Sequence, residues 1–211
     1  MTRAYDRDYL YYAQNNLGHM VDFAVNTCEF GIDEYFQMFL ASNVCKQFED
    51  GNPAYIAGRT GCELVRLVVE EVMDKDIDIP DVMYMDKTAE YWLGWSLAHY
   101  VWEKNCEFSY VFRAISPETM IGMYDTLHEA DISKFIMHVD VALNDYYKQS
   151  ALARFRAYAN LSQAMLAERS GVNIRIIQSY EQGLRDIGKA QFSTVVKLAE
   201  ALECDPIELI K

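Results

Sequence analysis

Residues 160–183 read NLSQAMLAERSGVNIRIIQSYEQG, and the spacing within this stretch decides the fold of the carboxy-terminal part of the chain. Ser162 suits a helix N-cap, and Met165, Leu166 and Arg169 follow at helical spacing. Ser170-Gly171 then stops the run with a residue that tolerates positive φ. Asn173 can cap a second helix, in which Ile177 and Tyr180 lie three apart on one face while Ile174, Arg175, Gln178 and Ser179 point largely elsewhere. A short helix, a Gly-containing turn and a second helix at a steep angle deliver a helix N-terminus to a DNA major groove. An ordinary helical hairpin is the plain alternative.

Flanking residues extend the pattern. Ala151–Ala159 reads as a first helix, 188–202 as a fourth with Val195, Leu198, Ala199 and Leu202 inward, and Asp205-Pro206-Ile207-Glu208 as the cap of a short fifth. The run Leu161-Ser162-Gln163, Leu166-Ala167, Gly171-Val172, Ile177, Tyr180-Glu181 and Gly183, followed by Leu198-Ala199 and Leu202, resembles the lambda-repressor-like (Cro-type, XRE) helix-turn-helix family. The resemblance covers about residues 150–211 and implies a five-helix DNA-binding domain.

It also implies site residues. Gln163 would donate its amide to a base or backbone oxygen, and Asn173, Ile174, Arg175, Gln178 and Ser179 would read base edges from the second helix. Arg can pair with guanine, Gln and Asn with adenine, and Ile can pack on a thymine methyl. The family further places a matching Arg and Glu at Arg156 and Glu181, both on otherwise apolar faces, as an ion pair within the module. Arg185 and Lys189, just after the second helix, suit phosphate contact, which positions without specifying. Many relatives are polar where Ile174 and Ile176 stand, so hydrogen-bonding readout is thin here. Two places are open to Ile176, inside the module or at a dimer contact.

Charge points to the same end of the chain. Residues 149–211 hold eight Lys/Arg against seven Asp/Glu, whereas residues 1–148 hold 11 basic and 25 acidic groups, a net of −14. An acidic body repels the phosphate backbone, so only the C-terminal module can face DNA. If one module neutralises about three phosphates its salt slope is near −3 and a dimer's near −6, so two copies on a palindromic operator are expected.

The remaining 148 residues read as helix after helix, making the whole chain all-α with an acidic helical domain at 1–148 and the DNA-binding domain at 149–211. Leu10, Ala13, Leu17, Met20, Val21, Ala24 and Cys28 form one amphipathic stripe, and Phe36, Phe39, Leu40, Val44 and Phe48 a second, from Asp33 to Phe48. Thr60-Gly61-Cys62-Glu63 is a capping box. Asp74, Asp76 and Asp78 have calcium-loop spacing, but Ile79 and Met85 stand where Gly and Glu are needed, so this stretch is a solvated linker. Thr88–Asn105 is the most aromatic helix: Tyr91, Trp95, Ala98 and Trp102 share a face, read as core ahead of a ligand pocket, and His99 carries the same reading. Gly94 and Ala98 would let another helix approach closely, and this helix supports a dimer held by the N-terminal domain. Ser116-Pro117 opens a further helix, and Asp131 caps one running from Ile132 to Tyr147. His128, Glu129 and Asp131 lack a second His and make a weak metal cluster. The junction near Tyr147–Ser150 has no flexible linker, so continuous helix or a short break is expected.

No phosphate-binding Gly loop, nucleophile elbow or H-E-x-x-H helix occurs in residues 1–148, so no enzyme and no cofactor are expected. No apolar run reaches the roughly 18 residues of a membrane span, and Met1-Thr2-Arg3-Ala4-Tyr5-Asp6 leads into no signal-peptide core; a cytoplasmic protein with five reduced cysteines is expected. The function expected is a sequence-specific transcriptional regulator, a repressor, with an antitoxin-like form in which the acidic body covers a basic toxin. The alternative is a small-molecule sensor whose pocket lies in the N-terminal helices.

Overall fold

A computed structural model describes residues 5–82 and 86–210. Residues 1–4, Met85 of the rejected calcium loop and Lys211 among the cations lie outside the described residues. The chain divides into two compact units, Met1–Leu143 and Asn144–Lys211. Every regular element among the described residues is helical.

The N-terminal unit starts with a 3-10 turn, Arg7–Tyr9, and α1 (Leu10–Asp22), which buries Leu10, Ala13, Leu17, Met20 and Val21. The stripe runs on to Cys28, but the helix widens into a π turn at Phe23–Thr27, and Glu29 follows with φ 60. The single helix expected from Asp33 to Phe48 is two: α2 (Ile32–Ala41) and α3 (Asn43–Glu49). Ser42 between them is extended; its hydroxyl donates to the Phe39 carbonyl at 2.7 Å and accepts the Cys45 N–H at 3.4 Å. One side chain thus satisfies orphan groups of both helix ends, a break that apolar periodicity does not report.

After α4 (Pro53–Ile56), Thr60 and Glu63 open α5 (Gly61–Met73) reciprocally: Thr60 Oγ1 accepts the Glu63 N–H at 3.2 Å and Glu63 Oε2 the Thr60 N–H at 2.7 Å. Residues 75–82 have no regular structure, but Arg66 donates to Ile79 O and Asp81 Oδ1, each at 2.6 Å. α6 (Ala89–Lys104) packs along α1. A methyl on Gly94 would overlap the Leu17 carbonyl, and one on Gly18 would meet the Tyr91 ring at 2.8 Å. The small-residue face of α6 is therefore filled by α1 of the same chain, and Gly94 and Ala98 are buried there. They give no support to a contact with a second copy. α7 (Phe108–Phe112) sets Phe108 and Phe112 against Phe39 and Phe36 at 5.2 and 4.9 Å between centroids. α8 (Pro117–Ile121), capped by Ser116, and α9 (Tyr124–Leu127) lead to α10 (Ile132–Lys148), whose first turn Asp131 caps through the Ser133 N–H at 2.9 Å.

A break at 149–150 precedes α11 (Ala151–Tyr158), which Ser150 caps through the Ala153 N–H. α12 (Gln163–Ser170), α13 (Ile174–Glu181) and α14 (Phe192–Leu202) follow. The helix expected from Gly188 begins four residues later. Asp186 caps a separate 3-10 turn, Ile187–Lys189, and Ala190 and Gln191 are extended. The fifth helix is likewise one 3-10 turn, Pro206–Leu209, capped by Asp205. Leu152, Leu166, Val172, Ile177, Val195, Leu198, Leu202 and Leu209 form the core, each fully buried side chain worth about 1.5–3 kcal/mol. All five cysteines are free thiols.

Candidate nucleic-acid interface

The turn between α12 and α13 is set by three residues. Gly171 takes φ +68 at the end of α12, with nothing within 4 Å of where a Cβ would be, so conformation and not space requires glycine. Val172 anchors the turn in the core, and Asn173 Oδ1 accepts the Arg175 N–H at 2.9 Å. Ile177 is buried, and Ile176 is half-buried and packs against the same core.

Behind α13 lies one polar network. Arg156 Nε donates to Glu181 Oε1 at 2.7 Å, Nη2 to Oε2 at 3.0 Å and Nη1 to the Leu161 carbonyl at 2.9 Å. The Glu181 side chain is only 6% exposed and that of Arg156 21%. Their hydrogen bonds raise the Arg156 pKa further above its ordinary value, against the opposing effect of burial. Gln163 Nε2 donates to Glu181 Oε2 at 2.7 Å, and since a carboxylate only accepts, the amide orientation is fixed. Gln163 Oε1 is thereby turned to accept Gln178 Nε2 at 3.3 Å.

This network sorts the residues the sequence singles out. Gln163 and Gln178 are half-buried and bonded to each other, Asn173 caps the helix, and Ser179 donates to the Ile176 carbonyl at 2.7 Å. Ile174 and Arg175 are exposed on the first turn of α13, and the Arg175 guanidinium has no side-chain partner among the described residues. Arg185 is exposed, and Lys189 Nζ lies 3.8 Å from Asp186 Oδ2 at an open surface. Sequence spacing points Gln163 and Gln178 outward, and only a fold that brings residue 163 beside 178 and 181 links them to each other.

A first helix, a Gly turn and an exposed second-helix N-terminus are now in place, and the helix-turn-helix family model matches residues 152–209. This segment belongs to the helix-turn-helix family. The family is one of DNA-binding transcription regulators, and the helix-turn-helix segment fits α11 to the final 3-10 turn. The N-terminal part has no match, and comparison with curated proteins and with solved structures gives none for the chain.

In the N-terminal unit the aromatic face of α6 divides. Tyr91, Ala98 and Trp102 are buried, Trp102 Nε1 donating to the Tyr5 carbonyl at 3.0 Å. Trp95 is instead half-buried, stacked on the half-buried His99, and lines an open cavity. Trp92, which the single-stripe reading omits, lines it too. Among the described residues no three His, Cys, Asp or Glu side chains group as metal ligands, and no helix is long and apolar enough to cross a membrane.

Proposed function

We propose that this chain is a sequence-specific transcriptional repressor that binds a palindromic operator as a homodimer, with residues 149–211 reading DNA. The observation that carries the reading is Arg175. It is the one long cation on the first turn of α13, it is exposed, and the neighbouring polar candidates are occupied by the protein itself. Arg at this position can make a two-bonded contact to guanine, Ile174 can meet a thymine methyl, and Arg185 and Lys189 supply phosphate attraction. Selection of bound sequences from a random duplex pool tests it: a palindrome with half-sites about 10 base pairs apart is expected, with a dimer in sedimentation. Unrelated sequences, or a monomer on single half-sites, overturn the reading.

The antitoxin-like form, in which a basic toxin binds the acidic N-terminal part, rests on the net charge of −14. The cavity beside Trp92 and Trp95 favours a second form, in which that part senses a small molecule.

A further inference from the structure

We propose that the cavity between α6, α9 and the start of α10 is a binding site for a planar organic cation. Its volume is about 450 Å³, within the range of small-molecule sites. The rings of Tyr91, Trp92, Trp95, Tyr124, His128 and Phe135 line it.

These rings are fixed by one another and not by a ligand. Trp92 stands edge-on to Tyr124 at 5.8 Å and to Phe135 at 5.4 Å, and Tyr124 stacks on His128 at 4.5 Å. The Tyr124 hydroxyl donates to the Lys87 carbonyl at 3.2 Å. A core would close over such rings, yet Trp92, Trp95 and Tyr124 stay half-exposed around open space. Aromatic walls preorganised in this way suit an aromatic guest, which can meet them face-on or edge-on.

Two observations, together with the charge distribution of aromatic rings, make the guest a cation. Ring faces carry the negative side of the aromatic quadrupole. Lys87 Nζ already sits 3.7 Å from the centroid of Tyr91, with no carboxylate in ion-pair range among the described residues, so this wall accepts an ammonium against its ring. Asp131 lines the cavity, and residues 1–148 carry a net charge of −14, a field that concentrates cations and repels anions. Lys87 is thus an internal competitor for the site.

The site deepens the sensing form of the proposed function, although binding itself is measured on the 211-residue chain without DNA. Calorimetry near neutral pH compares N-methylquinolinium with its uncharged counterpart quinoline and with the anion 2-naphthoate. The cation is expected to bind about tenfold tighter than quinoline, and 2-naphthoate not to bind. Lys87→Gln, which removes the competing ammonium, is expected to tighten the cation several-fold, and Trp95→Ala to weaken it about tenfold. Equal binding of quinoline, tighter binding of 2-naphthoate, or weaker cation binding by Lys87→Gln overturns the site, as does absence of binding. Operator titrations separate the two readings: a bound cation that leaves DNA affinity unchanged keeps the site and removes sensing. Intact operator binding without any cation binding removes the site and keeps the regulator.

Discussion

Arg156 and Glu181, 25 residues apart, are joined by two parallel hydrogen bonds of 2.7 and 3.0 Å that tie α11 to the last residue of α13. Gln163 hangs on the same carboxylate, so the pair also sets which polar groups remain free beside α13.

Glu181→Ala should cost about 3 kcal/mol, because it leaves a guanidinium unpaired where its partner was almost fully covered. All three tryptophans lie on α6, so the change is best followed by hydrogen exchange at the amides of Leu166 and Ile177. Unchanged protection there would mean that the pair is a surface contact.

Arg175→Ala should cost about 1–3 kcal/mol per half-site on the operator and flatten preference at one base pair. Arg185→Ala should weaken binding to all duplexes alike and reduce the salt slope by about one per module. Titrations of operator and scrambled duplex across a salt series separate the two. Equal losses on both duplexes for Arg175→Ala would reduce it to a phosphate clamp.

Gly94→Ala should destabilise the N-terminal unit by about 1–3 kcal/mol, since the added methyl meets the Leu17 backbone and not a movable side-chain tip. Gly122→Ala, whose methyl would come no closer than 3.4 Å to the Thr119 carbonyl, is the control and should be near neutral. Urea unfolding followed by tryptophan fluorescence measures both, and equal midpoints would contradict the close approach of α1 to α6.

His19 supplies a pH dependence. Burial first, then the charge of Lys87, lower its pKa below the ordinary 6.5, with Asp22 acting in the opposite direction. The unfolded chain therefore takes up the proton before the folded one does. The contribution is present above the unfolded pKa and is lost as pH falls through it towards the folded value. Urea midpoints should fall between about pH 7.5 and 5.5, and His19→Gln should flatten part of that slope. A variant with the same slope as the parent would assign the dependence to other groups.

What the sequence determined by itself is local. Ser162, Gly171 and Asn173 satisfy or terminate helix ends through their own side chains or backbone freedom, and Thr60 with Glu63 does so within four residues. Signals confined to one turn survive without tertiary context, so the helix-turn-helix and most helix starts were legible. The break at Ser42 and the late start of α14 were not, because apolar spacing continues through them. What the tertiary structure decided is occupancy. α6 buries residues nearly all round, so one stripe could not say that Trp102 is covered while Trp92 and Trp95 face open space. The Gly94 face looked like a place for a second chain until α1 filled it, and Gln163 looked free until Glu181 and Gln178 engaged it. Each outcome depends on which distant segment arrives at a face, and that is fixed by global packing and not by the order of neighbouring residues.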